Sequence, residues 1–227
     1  SGGIFKFLYA TAFSDPTVYQ RFYTTPTFSV GNPDLKPERM RSIDLTWEQR
    51  VAARTRFTSS LFFYRLQDLL GIDASTGLSA NLPDVIGRGV ELELQHRWLN
   101  GAALRLGYTL QQPSTSSIYI ENVARHSLRG NFSAPIFNTQ WLAGLEGQLL
   151  SRRQTGDNGN WVAGYGVANA NFTYKPSGKD WNVALGIYNL FDHQYDDPSG
   201  LDTTLAGTRA QTPQFGRTFR LKFTAHF

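Results

Sequence analysis

The sequence contains no cysteine, which excludes disulfide bonds, thiolate nucleophiles and cysteine-ligated metals. It also has no run of about 18 apolar residues, which is the length that a transmembrane helix requires. Clusters of basic residues are missing as well: the net charge is +4, and the arginines that dominate the positive charge are scattered along the chain. This charge pattern does not indicate a nucleic-acid-binding surface.

The residues that could hold a metal or a cofactor are few. No metal-ligand spacing connects the four histidines, and we expect neither a metal site nor a cofactor; they are His96, His126, His193 and His226. The neighbouring Asp196 and Asp197 offer oxygen ligands that suit Ca²⁺, but two adjacent acids in a loop are usually only solvated.

Aromatic residues are abundant, at 14% of the chain, and tyrosine and tryptophan accompany the phenylalanines. Such a composition fits the aromatic girdles of a membrane β-barrel, and it equally fits an aromatic-rich β-sandwich core. The mean hydropathy of −0.34 does not separate the two, because a barrel strand exposes only every second residue to lipid.

Alternation of apolar and polar residues predicts ten strands. They cover residues 4–13, 40–50, 54–66, 86–98, 102–112, 124–134, 138–151, 164–175, 180–192 and 216–227. Strands of soluble proteins are usually about five or six residues long, whereas a tilted transmembrane strand needs about 9–11. The lengths therefore favour a membrane protein.

Each of the clearest strands has one apolar and one charged face. Within residues 89–98, Val90, Leu92 and Leu94 alternate with Glu91 and Glu93. In a soluble sandwich the apolar face would be the core, and in a membrane barrel it would contact lipid. Alternation alone allows both.

The lengths of the connections separate these alternatives. Short and long connections alternate strictly along the predicted strands: the short ones are 51–53, 99–101, 135–137 and 176–179, and the long ones are 14–39, 67–85, 113–123, 152–163 and 193–215. An up-and-down barrel with tight periplasmic turns and long outside loops has this pattern, and a Greek-key sandwich has no reason to show it. We therefore predict an all-β, antiparallel, up-and-down transmembrane β-barrel whose last strand runs from the outside to the periplasm.

Three stretches resemble the TonB-dependent outer-membrane receptors. Residues 12–17 (Ala-Phe-Ser-Asp-Pro-Thr) and 31–39 (Gly-Asn-Pro-Asp-Leu-Lys-Pro-Glu-Arg) are similar to a Phe-x-x-Pro and an Asn-Pro-x-Leu-x-Pro-Glu signature of that family. Residues 188–195 resemble its Asn-Leu-Phe-Asp-x-x-Tyr motif, and the alternating C-terminus that ends in Phe227 resembles the signal read by the barrel-assembly machinery.

The resemblance covers the whole chain, but family barrels have about 22 strands and an N-terminal plug domain. Ser1-Gly2-Gly3 is neither a start nor a signal peptide, and residues 1–227 contain no segment that resembles a plug or a TonB box. We therefore expect residues 1–227 to be the C-terminal part of a receptor barrel. An open sheet of ten strands would leave two unpaired edges, which lipid penalises by several kcal/mol per group.

The resemblance also implies a function, a location and partners. We expect a receptor of the bacterial outer membrane that imports a scarce nutrient, such as a ferric siderophore or cobalamin, without catalysis. Its partners would be outer-membrane lipid, the barrel-assembly machinery, a small-molecule metal chelate, and TonB through the missing plug region.

Two groups of residues follow from this interpretation. Arginine, tyrosine and tryptophan in the outside loops are the candidate ligand contacts; they are Tyr19, Arg21, Phe22, Tyr23, Arg152, Arg153 and Trp161. The two family motifs are predicted to have structural roles, because their proline, asparagine and aspartate residues favour turns; they are Asn32, Pro33, Leu35, Pro37, Glu38, Asn189, Leu190, Phe191 and Asp192. Phe227 is the predicted assembly signal.

Two other functions stay open. One is a complete ten-strand barrel with a protease site at its outer rim, where His193 would be the histidine nearest that rim. The other is a passive porin or adhesin barrel, which would share the architecture but not the two signatures.

Overall fold

The computed structural model describes residues 2–24, 30–73, 76–115, 120–155, 160–199 and 210–225. Its elements, in chain order, are β1 Ile4–Ser14, α1 Val18–Phe22, β2 Glu38–Ala52, β3 Thr55–Gln67, β4 Leu69–Ile72, β5 Ser79–Leu82, β6 Val85–Arg97, β7 Ala103–Thr115, β8 His126–Ile136, β9 Trp141–Leu150, β10 Arg153–Gln154, β11 Trp161–Val162, β12 Tyr165–Tyr174, β13 Trp181–Tyr188, β14 Asp196–Pro198, β15 Gln211–Pro213 and β16 Thr218–Ala225.

Ten long strands form one antiparallel sheet in the order β1-β2-β3-β6-β7-β8-β9-β12-β13-β16. Each of these strands pairs with the next long strand along the chain, so the predicted up-and-down order is confirmed. The predicted strand 180–192 is too long, because β13 ends at Tyr188 and Asn189 turns the chain with a φ of 50°. Similarly, β9 begins only at Trp141, after Phe137 has adopted a φ of 59°.

Short and long connections alternate around the sheet. The turns after β2, β6, β8 and β12 span 53–54, 98–102, 137–140 and 175–180, and the intervening connections span 15–37, 68–84, 116–125, 151–164 and 189–217. In an antiparallel sheet this places all long connections at one end, which we call the loop end.

Sequence periodicity did not predict the short elements within the long connections. Three of these connections contain a small hairpin, formed by β4 with β5, β10 with β11, and β14 with β15, and the first contains α1. Such strands of two to four residues are too short to show a period. α1 has five residues, and no helix of the described chain is long and apolar enough to span a membrane.

The distribution of exposed residues is the reverse of that in a soluble protein. On β2, the apolar Ile43, Leu45 and Trp47 are exposed, at 42%, 43% and 37%, whereas the alternating Asp44 and Glu48 are half-buried. In the described chain no large side chain is fully buried, so the sheet has no packed core.

Strand register extends this pattern across the sheet. Leu45 lies opposite Leu61, Leu61 opposite Val90, and Val90 opposite Leu110. These side chains belong to one continuous apolar face, and the alternating residues form the polar face. A sheet that exposes its apolar face requires lipid on that side.

The outermost strands of the described sheet are β1 and β16, so the expected two edges are present. The aromatic residues of these strands are strongly exposed, with Phe5 at 72%, Phe13 at 74% and Phe219 at 67%. Each edge therefore presents both backbone groups and apolar side chains that closure of the barrel would cover.

We predict that a charge on the apolar face is costly at mid-strand. Leu61→Arg in the full-length protein should reduce the free energy of unfolding in liposomes by about 2–4 kcal/mol, because the guanidinium would lie near the bilayer midplane. Urea titration followed by tryptophan fluorescence measures this. Thr58→Arg, on the polar face of the same strand, is the control and should cost less than about 1 kcal/mol; equal losses in the two variants would contradict the assignment of the faces.

Candidate functional site

The polar face carries a cleft of about 500 Å³ near the loop end of the sheet. Its floor comes from neighbouring strands of the sheet and its rim from three long connections. The lining residues are Glu91, Gly107, Thr109, Gln111, Asn122, Ala124, Ser127, Arg129, Gln148, Leu150, Arg153, Tyr165 and Asp197. Clefts of this size bind small molecules, and the lining here is mainly polar.

Strand register brings the charged floor residues together. Glu91 lies opposite Thr109, Gly107 opposite Arg129, and Arg129 opposite Gln148. Positions that are far apart in sequence therefore share one surface only because the strands pair in this register. Arg129 is exposed and has no hydrogen-bond or ion-pair partner within the described ranges, so its guanidinium is available to an anion.

Arg153 connects the segments that form the rim of the cleft. Only 5% exposed, it donates from Nη1 to Asn122 Oδ1 at 2.9 Å and from Nη2 to Asp197 Oδ1 at 2.5 Å. Its guanidinium carbon lies 5.2 Å from the centre of the Tyr165 ring. The side chain thus joins the connections 116–125, 151–164 and 189–217.

One polar atom of this cluster is unsatisfied. Arg153 Nε is buried and has no hydrogen-bond partner in the part of the chain that the structure describes. The sequence predicts Arg153 as a loop residue that contacts ligand, and the structure places it in the wall of the cleft with most of its donors already used.

Asp197 completes the rim, and Tyr195 packs against the lining residue Tyr165. The rings of Tyr165 and Tyr195 lie 4.1 Å apart. Burial, followed by the nearby Asp197 carboxylate, raises the pKa of the Tyr195 phenol, so this hydroxyl stays protonated at neutral pH.

The expectation of Ca²⁺ at Asp196 and Asp197 gains no support from the structure. The Asp197 carboxylate is paired with Arg153, and the described residues contain no group of three or more potential metal ligands.

The candidate residues of the first long connection lie elsewhere. They lie on and next to α1, whose N-cap residue Thr17 forms a capping box with Gln20. Tyr19 and Tyr23 stack at 4.6 Å, Phe22 is 67% exposed, and Arg21 donates to the carbonyl of Leu35 at 3.4 Å. None of the four lines the cleft.

Arg152 and Trp161 form a separate exposed pair. The Arg152 guanidinium carbon lies 4.5 Å from the centre of the Trp161 ring, and neither residue lines the cleft. Of the seven residues predicted as ligand contacts, the structure brings only Arg153 to the cleft. The residues of the floor were missed, and the signal that could have found them is polar alternation near the loop ends of the strands.

The first family motif connects two long connections. Asn32 donates from its side chain to the carbonyl of Ser79 at 2.9 Å, and its Oδ1 accepts from the Asp34 amide at 3.0 Å. Leu35 is only 4% exposed, and the Glu38 carboxylate accepts from the Leu70 amide at 3.1 Å. These bonds attach the segment that contains Pro33 and Pro37 to the hairpin of β4 and β5.

The second family motif shapes the turn that follows β13. Asn189 is 5% exposed, and its side-chain amide donates to the carbonyls of His193 at 2.8 Å and Phe215 at 3.2 Å, while its Oδ1 accepts from the His193 amide. Asp192 Oδ1 accepts from the Arg217 amide at 2.6 Å. The motif therefore joins both ends of the connection 189–217.

The remaining members of the motif face outward or continue the sheet. The Leu190 amide donates to the carbonyl of Ala168 at 2.7 Å, and Phe191 is 75% exposed.

Phe227, the predicted assembly signal, lies outside the described residues. A second histidine lies at the loop end, because His126 begins β8 there and bonds the Tyr108 hydroxyl at 2.8 Å; His193 is thus not alone near the rim.

We predict that Asn189 is critical for folding. Asn189→Ala should cost about 2–4 kcal/mol, because it leaves buried backbone groups unpaired and puts alanine at a positive φ. Chemical unfolding of the full-length protein in detergent measures this. Asn131→Ala, at an exposed position of the polar face, is the matched control and should change stability by less than about 0.5 kcal/mol; a similar effect of both substitutions would refute the role of Asn189.

Arg153→Ala should loosen the rim of the cleft by about 1.5–3 kcal/mol, since Asp197 and Asn122 lose their partner. Because the change is local, we expect faster cleavage of the long connections by proteinase K, which does not require arginine. Arg152→Ala removes the neighbouring, exposed guanidinium and should leave the cleavage rate nearly unchanged. Equal rates for the two variants would show that Arg153 does not hold the rim.

Comparisons with known proteins give one family and a set of similar folds. A family model described as TonB dependent receptor-like, beta-barrel, matches residues 5–190. No curated protein matches the sequence. The siderophore receptor PirA from Acinetobacter baumannii superposes with a TM-score of 0.78 at 18% identity, over 99% of this chain and 39% of that chain.

Two further solved structures are similar. The copper transporter OprC has a TM-score of 0.79 at 19% identity, over 100% of this chain and 38% of that chain. The closed form of the ferric-catecholate import receptor Fiu from E. coli K12 has a TM-score of 0.74 at 18% identity, over 99% of this chain and 33% of that chain. The chain thus spans between a third and two fifths of the length of these proteins.

Proposed function

Because the chain belongs to the TonB-dependent receptor-like β-barrel family, we propose that it forms part of the wall of a receptor that actively imports a scarce nutrient. The family consists of outer-membrane β-barrels, and the chain is accordingly a protein of the bacterial outer membrane. This location agrees with the exposed apolar face of the sheet, and it assigns the loop end to the outside of the cell.

The observation that carries the proposal is the cleft beneath the long connections. A ligand arriving from outside meets the loop end first, and the cleft there has a suitable volume and charges of both signs. The free guanidinium of Arg129 can bond anionic oxygens, the Glu91 carboxylate can accept hydrogen bonds, and the Gln148 amide can accept or donate them. We infer that the ligand is a small metal chelate such as a ferric siderophore, with cobalamin as the other candidate.

The names of similar structures support this ligand class. PirA is described as a siderophore receptor, Fiu as a ferric-catecholate import receptor and OprC as a copper transporter. All three handle a metal or its chelate. Their identity to this chain is below 20%, so the proposal rests on the cleft and takes from them only the class of ligand.

Import would proceed by binding and conformational change, without a chemical step catalysed by this chain. We propose that a plug region in a longer protein fills the lumen and contacts TonB, because the chain covers only 33–39% of the receptors above. The other candidates, a rim protease and a passive porin, are less well supported because neither explains the family match over residues 5–190.

The proposal is tested by growth of a strain that lacks the gene. We expect the full-length gene to restore growth on at least one ferric chelate or on cobalamin, and deletion of the TonB system to abolish the rescue. Arg129→Gln should raise the concentration needed for half-maximal growth about tenfold, since a charge-assisted hydrogen bond contributes about 1.5–3 kcal/mol.

Arg56→Gln removes a similar charge from the polar face outside the cleft and serves as the control, with growth unchanged. Rescue that persists without the TonB system would contradict active import. Equal growth of the strain with and without the gene on every chelate and on cobalamin would contradict the proposed ligand class.

A further inference from the structure

A second depression on the polar face lies next to the cleft, on the side of the short turns. It has a volume of about 170 Å³, and we call it the polar recess; its polar lining side chains are Asn131, Ser133, Glu146, Asn169, Asn171 and Tyr188. We propose that the recess binds a positively charged ammonium group of the imported molecule, while the metal-chelating part of that molecule occupies the cleft. The inference rests on the proposed function, because it narrows the class of ligand that the cleft receives.

Strand register makes the recess continuous with the cleft. Arg129 lies opposite Gln148 in the floor of the cleft, and two residues closer to the short turns Asn131 lies opposite Glu146 in the recess. Glu146 also lies opposite Asn169 of β12. Side chains two residues apart on a strand share a face and are separated by about 7 Å, so one small molecule can reach both places. The recess is smaller than a usual ligand pocket of about 300–1,000 Å³, and it therefore suits one arm of a ligand.

Glu146 is the one charged residue among those that line the recess, and the protein does not neutralise it. Its side chain is exposed and forms no ion pair or hydrogen bond within the described part of the chain. Arg129 is its diagonal neighbour across the β8–β9 pair, but the two do not form an ion pair. Arg105, opposite Asn131, is bound to Glu93 at 2.6 Å. The recess thus offers an unpaired carboxylate to a cation.

The amide side chains around Glu146 are positioned by the sheet. The backbone amide of Asn189 donates to Asn169 Oδ1 at 2.9 Å, which holds the Asn169 side chain in place. Gly144 leaves room for the Asn171 side chain, because a Cβ at Gly144 would lie 2.7 Å from Asn171 Oδ1. Two amide groups of the recess are therefore placed before a ligand arrives, which reduces the conformational entropy that is lost on binding.

These groups suit an organic ammonium better than a metal ion. An ammonium group donates three hydrogen bonds and accepts none, and the oxygens of a carboxylate and of amides are its acceptors. The bond to Glu146 is charge-assisted, and the ring of Tyr188 in the lining attracts a cation to its face. Ca²⁺ would require about six to eight oxygen ligands, and the described residues contain no cluster of three or more histidine, cysteine, aspartate or glutamate side chains that could begin such a site.

The test is ligand binding by the full-length protein purified in a neutral detergent. Equilibrium dialysis with radioactive iron would compare the ferric complex of a linear trihydroxamate that ends in a free ammonium group with the same complex after N-acetylation, which removes this charge. We expect the wild-type protein to bind the ammonium form at least tenfold more tightly. Glu146→Gln should weaken binding of the ammonium form about tenfold and leave binding of the acetylated form unchanged, because only the ammonium form loses a charge-assisted hydrogen bond.

The matched control is Asp44→Asn, which removes one carboxylate from the polar face of β2 outside the recess and should keep the preference of the wild-type protein. Arg129→Gln should weaken binding of both forms alike, since Arg129 contacts the chelating part. Native folding of each variant is checked by its heat-modifiable mobility in gels. If Glu146→Gln does not fold, Asn131→Asp, which adds a second carboxylate to the recess, should raise the preference about threefold, and an unchanged preference would contradict the proposal.

Equal binding of the two forms by the wild-type protein, or no binding of the ammonium form, would overturn the proposal. An equal loss of both forms in Glu146→Gln would also overturn it, because it would indicate a purely structural role. The dialysis requires no TonB system, so its outcome is separate from that of the growth test. Selective binding without TonB-dependent growth would contradict import alone, and TonB-dependent growth without selective binding would contradict the ammonium site alone.

Discussion

The rest of the structure depends on one constraint: backbone amides and carbonyls in lipid must find partners within the protein. A meander of ten antiparallel strands satisfies it between neighbours and leaves only β1 and β16 with an open side in the described sheet. Because side chains alternate along every strand, the same pairing separates an apolar face from a polar face. The two faces of the sheet are thus consequences of backbone pairing: the apolar face contacts lipid, and the polar face carries the cleft.

The polar face forms a site where the long connections close over it. Glu91 and Arg129 come from separate strands, whereas Arg153 and Asp197 come from connections and fix those connections to one another. The family motifs act in the same region: Asn32 attaches one long connection to another hairpin, and Asn189 joins both ends of the last connection. The long connections at the loop end are therefore held together mainly by hydrogen bonds and an ion pair of asparagine and arginine side chains.

The apolar face is not uniform either. Its lower and central rows contain Trp47, Leu45 and Leu61, and its uppermost rows contain arginine. In the core of a soluble protein, this change from leucine to arginine along one face would destabilise the fold, because it would bury unpaired charge. On a membrane wall it follows the polarity of the bilayer, because the arginines lie toward the loop end, where the strands approach the membrane surface.

The sequence by itself determined the strands, their alternation and the sorting of the connections, because a period of two and a run length are local properties that lipid contact imposes on every strand. It also determined the family, through residues 12–17, 31–39 and 188–195. Only the tertiary structure decided which loop residue reaches the cleft. Arg152 and Arg153 are indistinguishable in sequence, yet one stacks on Trp161 in the open and the other is buried against Asp197. Cross-strand register and contacts between distant connections decide such differences, and neither is encoded in the local pattern.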